Sequence, residues 1–183
     1  MKRVYLDYNA TCPLGHEARS AMIAAMDKFA SGANPSSVHA EGRAAKAVVE
    51  QARRQISTLT RCDPTGIVFT SGGTEAINMA LCGMARREND PVRQIFITTI
   101  EHSAVRETAL ALAEAGLVQV ETLPVTSDGV VDIDAAKLAF ATANKPFLAC
   151  IILANNETGV IQPVAQLRSD IFAHGGFLFV DGV

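Results

Sequence analysis

Several classes of protein are excluded by what this sequence lacks. It has no excess of positive charge, since 16 Lys and Arg against 19 Asp and Glu give a formal net charge of -3. Without a basic field, nucleic acid and anionic membrane surfaces are poor candidates for the main partner, and a small-molecule site is the expectation. It has no Cys-x-x-Cys pair. Cys12, Cys62, Cys82 and Cys150 stand far apart with no histidine at metal-ligand spacing, which argues against a disulfide framework and a zinc site. Each reads instead as a small reduced hydrophobe. No long apolar run is present: the longest, Phe147 to Ala154, is far short of the roughly 20 residues that span a bilayer. Lys2 and Arg3 open the chain, but Asp7 and Asn9 interrupt what would be the apolar core of a signal peptide. A cytoplasmic protein without a membrane segment or a metal is expected.

What is present is apolar content, 49% of 183 residues, enough for one sizeable core. From residue 64 onward short β-rich runs alternate with helical stretches. The runs are Ile67 to Thr70, Gln94 to Thr99, Val118 to Leu123, Phe147 to Leu153 and Phe177 to Val180. The helical patterns between them cover Glu75 to Arg87, Ser103 to Ala115, Asp132 to Ala143 and Val164 to His174. Alternation of this kind implies βαβ units with right-handed crossovers, hence an α/β fold with a mainly parallel sheet and helices on both faces. The unbroken apolar strands agree with burial on both sides. Ahead of this region lie two helical patterns, His16 to Phe29 and Arg43 to Leu59, separated by the turn-rich Ser31 to Ser37.

Parallel sheets bind ligands beyond the carboxyl ends of their strands, so the residues that follow each run carry the chemical interest. Thr70-Ser71-Gly72-Gly73-Thr74-Glu75 joins a run to a helix, and its glycines let amides and hydroxyls face an anion at the helix N-terminus. It has neither the Gly-Lys-Ser/Thr of a P-loop nor a Gly-x-Gly-x-x-Gly, which disfavours ATP and NAD. An ordinary glycine turn capped by Thr74 or Ser71 fits it equally well. In Thr99-Ile100-Glu101-His102-Ser103-Ala104 an imidazole falls on the same sheet edge, either as a satisfied structural group or as a catalyst. Ala154-Asn155-Asn156-Glu157-Thr158-Gly159 puts two amides after a buried run, where they need backbone or ligand partners; an Asx-type turn is the structural alternative. Phe179-Val180-Asp181 ends an apolar strand on a carboxylate, which requires a partner, either a surface Lys or Arg or a protonated ring nitrogen of a cofactor.

These four elements, with Asp7-Tyr8-Asn9-Ala10-Thr11 and Asn34-Pro35-Ser36-Ser37-Val38-His39 ahead of them, resemble the NifS-like cysteine desulfurases. These form part of the class V aminotransferase branch of fold-type I pyridoxal 5'-phosphate (PLP) enzymes. The resemblance runs in order over the whole chain, and the spacing from Thr74 to His102 to Asn156 to Asp181 fits the family pattern. It implies that Gly73 and Thr74 bind the PLP phosphate, that His102 stacks on the pyridine ring and helps in proton transfer, and that Asn156 lies near the phenolic oxygen. It also implies that Asp181 keeps the pyridine nitrogen protonated, which makes the ring an electron sink.

The implied reaction converts L-cysteine to L-alanine and passes sulfur, as an enzyme persulfide, to an acceptor such as an iron-sulfur scaffold protein; the implied full-length assembly is a homodimer. In the family a lysine beyond the aspartate forms the Schiff base with PLP, and the nucleophilic cysteine lies further along still. Neither Lys2, Lys28, Lys46, Lys137 and Lys145 nor any of the four cysteines occupies these positions. The expectation is therefore an N-terminal arm and an incomplete PLP-binding large domain over residues 1–183, without the C-terminal small domain and inactive alone. Later strands of the family fold are expected to pair beside Ile67 to Thr70. Another class V enzyme, such as a selenocysteine lyase or an aminotransferase, and a non-catalytic truncated fragment are the alternatives.

Overall fold

The computed structural model describes residues 3–8 and 10–183; Met1, Lys2 and Asn9 lie outside the described residues. The chain divides into two units, Met1–Phe69 and Thr70–Val183.

The first unit contains two α-helices among its described residues, α1 (His16–Lys28) and α2 (Ala40–Thr60), and a short 3-10 turn at Pro64–Gly66. Local means suffice to start and stop α2. Its composition is rich in Ala, Glu, Gln and Arg, all strong helix formers, and His39 caps it by accepting the Gly42 amide on Nδ1 at 3.3 Å. It ends at Arg61, which takes a left-handed conformation with φ of 56°. Gly42 is needed for space. A Cβ there would stand 2.5 Å from the Ser37 carbonyl oxygen and 2.8 Å from that of Asn34. The Asn34-to-His39 turn therefore packs its backbone directly on the first turn of α2.

The second unit holds a four-stranded sheet and the other four helices. The strands are β1 (Gln94–Thr98), β2 (Gln119–Leu123), β3 (Phe147–Ile152) and β4 (Gly176–Asp181), ordered β2-β1-β3-β4 and parallel at every pairing. The helices are α3 (Gly73–Ala85), α4 (Ser103–Glu114), α5 (Ile133–Thr142) and α6 (Val164–Ala173). Successive residues of a strand point to opposite faces, and the packing follows that rule. Ile95, Ile97, Leu148 and Cys150 pack with Ile77 and Leu81 of α3 and Val105, Ala109 and Leu112 of α4. On the other face Phe96, Phe147, Ala149 and Ile151 pack with Ala136 and Phe140 of α5 and Leu167 and Ile171 of α6. Central β1 and β3 are buried along their whole length, whereas the edge strands β2 and β4 are buried only in part. The second face is anchored by Phe96, Phe140 and Phe147, with all three ring centroids 5.3 Å apart.

The expected α/β class and helix coverage of both faces are found, and most element limits agree within two or three residues. One expected strand is not. Ile67 to Thr70 has the apolar composition of a strand, yet no strand is paired with it. Composition supplies strand propensity, but a strand forms only where a neighbour supplies ladder partners. Within the first unit, Arg53 of α2 donates to the Ile67 carbonyl and lays its guanidinium over Phe69, 4.9 Å from the ring centroid.

Candidate active site at the carboxyl ends of the strands

In the second unit the residues that follow the strands collect at one edge of the sheet because all four strands run the same way. β1 delivers the turn 99–102, β3 delivers 153–159, and β4 ends on Asp181. Thr99, Ile100, Glu101, His102, Ser103 and Arg106 from the first of these segments and α4 line a cavity of about 340 Å³ opposite Asn155, Asn156, Glu157 and Thr158. His102 and Asn156 are thus brought to a common cavity.

His102 is the N-cap of α4. Its Nδ1 accepts the Ala104 amide at 3.2 Å, which assigns the ring proton to Nε2. The imidazole is exposed while its orientation is held by the helix end.

The two asparagines divide their work. Asn155 is buried; its Oδ1 accepts from the Glu157 amide at 3.0 Å, the Thr158 amide at 2.8 Å and the Thr158 hydroxyl at 3.1 Å, and its Nδ2 donates to the Ile100 carbonyl at 3.0 Å. It makes the Asx-type turn and ties the loop after β3 to the turn after β1. Asn156 is exposed on the cavity side of that turn.

Gly73 and Thr74 do not line the cavity. They form the first turn of α3, whose N-cap is Gly72. Neither Thr74 nor Ser71 caps the helix, contrary to the structural alternative drawn from sequence. Ser71 instead donates its amide and its hydroxyl to the Glu75 carboxylate, each at 2.6 Å, and these two bonds hold that carboxyl below its ordinary range. The turn lies against the end of β4, because a Cβ on Gly73 would stand 3.1 Å from Cγ2 of Val183. First-turn amides of a helix have no acceptor within the helix, so this turn can offer donors to an anion.

Asp181 also lies outside the cavity lining. It is buried, and its Oδ1 accepts the Val183 amide at 3.1 Å. No Lys or Arg forms an ion pair with it among the described residues, so the surface cation offered as one possible partner is not there. A buried carboxylate in that condition suits a bound N–H donor.

Sequence reasoning quoted Glu101 and assigned it nothing, although it is the most perturbed carboxyl of the site. It is buried, its Oε1 accepts from Thr98 Oγ1 at 2.7 Å and from the Ile152 amide at 3.0 Å, and Oε2 has no partner among the described residues. Burial is the main cause that pushes it up to about 7, and the charge of Asp181 adds to it. The available signal was a glutamate directly after an apolar run, one position before the histidine.

Known proteins share this fold. The chain is 39% identical over 165 residues to cysteine desulfurase IscS of Vibrio cholerae, a match that takes in 90% of this chain and 40% of that protein. A NifS-like protein of solved structure superposes with a TM-score of 0.90 at 34% identity, covering 100% of this chain and 49% of that one. The structure of SspA in complex with cysteine superposes with a TM-score of 0.86 at 29% identity, covering 96% of this chain and 49% of that one. The chain spans less than half the length of each. Residues 4–183 match the model of the class-V aminotransferases, and the chain belongs to that family.

Proposed function

We propose that this chain supplies the cofactor-binding half of a PLP-dependent cysteine desulfurase, one that converts L-cysteine to L-alanine and hands the sulfur to an acceptor protein. The observation that carries the reading is a buried carboxylate without a cationic partner, Asp181, beside a helix-start turn and a histidine-lined cavity at one sheet edge. These residues fit the cofactor. The Gly73 and Thr74 turn provides amide and hydroxyl donors for the phosphate, Asn156 a donor for the phenolic oxygen, and Asp181 a fixed negative charge that favours a proton on the ring nitrogen. When bound there, PLP supplies an electron sink for the electron pair released at the substrate α-carbon. His102, oriented by the Ala104 amide and part of the cavity lining, serves as ring neighbour and proton carrier.

By the same family likeness, the partners are an iron-sulfur scaffold or another sulfur acceptor and a second copy of the full-length enzyme. Two exposed thiols, Cys12 and Cys62, suit a reducing cytoplasm.

Neither lysine of the second unit lines the cavity. In the second unit Lys137 pairs with Asp170 at 3.7 Å, and Lys145 precedes the first residue of β3, at the opposite end of the strands. Borohydride reduction of the chain mixed with PLP is accordingly expected to leave no pyridoxyl group at any single lysine. A stoichiometric adduct would contradict this assignment. In a polypeptide that carries this segment together with the rest of a desulfurase, Asp181→Asn is expected to lower turnover of L-cysteine about 10²- to 10³-fold, the scale of losing a preorganised charge. Near-normal turnover would remove Asp181 from the site.

A further inference from the structure

Glu101 has no part in the reading above, yet its surroundings are unusual. Its carboxyl lies where three strands end. Oε1 takes a hydrogen bond from Thr98, the last residue of β1, and another from the amide of Ile152, the last residue of β3. Ile152 is the register partner of Asp181 in β4. The Glu101 bond therefore reaches the residue that faces Asp181 across the ladder, and the two buried carboxyls feel each other.

The chemistry of the two oxygens differs. Oε1 has both of its acceptor sites filled by donors, as the carbonyl oxygen of a carboxylic acid would. Oε2 is buried without a hydrogen-bond partner among the described residues, and an ionised oxygen in that position would bear the cost of lost hydration. The Asp181 carboxylate has the Val183 amide instead. When two carboxyls share a buried site, the one with an uncompensated oxygen keeps the proton.

We propose that Glu101 is a positioning residue that works as a neutral acid: it ties the turn carrying His102 to β3 and leaves Asp181 the only buried carboxylate charge at these strand ends, Glu157 being exposed. This rests on the strand ends being the PLP site. The groups around it are Asp181 on β4, Cys150 on β3, His102 on its own turn, Arg106 on α4 and Glu157 in the loop after β3. Of these the Cys150 thiol is pushed up by burial and further by Glu101, so it stays neutral and does not compete for the negative charge. Deprotonating Glu101 sets a second negative charge beside Asp181.

The test separates this role from the cofactor reading. In the chain itself, without PLP, the carboxyl carbon of Glu101 followed by ¹³C NMR is expected to titrate near 7 and to move down in Asp181→Asn. A midpoint in the ordinary glutamate range, or one unmoved by Asp181→Asn, overturns the proposal whatever binds there. In the complete PLP-loaded enzyme, Glu101→Gln keeps both acceptor bonds and the neutral charge. It is expected to hold PLP affinity as in the wild type at pH 6 and to lack the weakening that is expected of the wild type above pH 7. Glu101→Ala is expected to weaken affinity at every pH. If Glu101→Gln behaves as Glu101→Ala does, or keeps the wild-type pH profile, the proposal fails. An enzyme that binds no PLP would refute the cofactor reading and leave the titration result to decide the role of Glu101.

Discussion

Helix α2 and helix α4 reach order by different routes. α2 is the longest helix of the chain, 21 residues, yet only Gly42 and Ala45 are buried along it. α4 has 12 residues and buries Val105, Thr108, Ala109 and Leu112 against the sheet. The first relies on local terms: helix-forming residues, the His39 cap and a Glu50–Arg53 pair at 3.3 Å. Such terms contribute a few tenths to about 1 kcal/mol each. The second relies on apolar burial, where one fully enclosed side chain is worth about 1.5–3 kcal/mol. Helix formation and core formation are thus separable in this chain, and the functional edge is built where the core is.

The comparison breaks most readily at Phe147. Truncating it removes one ring of the Phe96, Phe140 and Phe147 cluster, and Phe147→Ala is expected to cost about 3–5 kcal/mol in denaturant unfolding of the second unit. Leu59→Ala in α2, at a residue 82% exposed, is expected to stay within about 0.5 kcal/mol. Comparable losses at the two positions would show that the first unit has a core of its own.

A second effect follows from Glu101. Its folded-state value of about 7 lies above the ordinary 4.5. Between those values the unfolded chain has released a proton that the folded chain still holds, so stability falls as pH rises through that window. The fall from this group totals about 3 kcal/mol. Thermal unfolding between pH 4.5 and 7.5 should show this contribution in the wild type and lack it in Glu101→Gln.

Next in size is Gly42, where the 34–39 turn packs its backbone closely on α2. Gly42→Ala forces a methyl against the Ser37 and Asn34 carbonyls, and overpacking of this kind costs about 1–3 kcal/mol. Hydrogen exchange in residues 34–42 should accelerate, with the strands of the second unit unaffected. The smallest effect is expected at Asp132, whose carboxylate caps α5 by accepting the Ala135 amide at 3.0 Å. Asp132→Ala should lower the stability of the second unit by about 1 kcal/mol in the same denaturant titration. A larger loss would mean that this packed helix depends on its cap as much as α2 does.

Much of this arrangement was legible in the sequence, and the reason is the burial of β1 and β3 on both faces. A strand covered by helices on both sides is apolar along most of its length, so Ile95 to Ile97 and Phe147 to Ile152 stand out as runs and fix the helices between them. Ile67 to Thr70 has the same appearance and no ladder partner, because composition records the propensity of one segment and pairing depends on another. The same limit applied at the site. Strand ends pointed to His102, Asn156 and Asp181, since a polar residue directly after an apolar run is visible in one dimension. That Asn155 holds the loop while Asn156 faces the cavity, and that Glu101 reaches across β3 to the neighbour of Asp181, depends on which oxygen meets which amide. The sequence by itself determined the parallel α/β framework and the edge where chemistry gathers, because burial constrains residue type position by position. Only the tertiary structure decided the protonation and pairing of the buried carboxyls, because these depend on distances between residues about 50 to 80 positions apart in the chain.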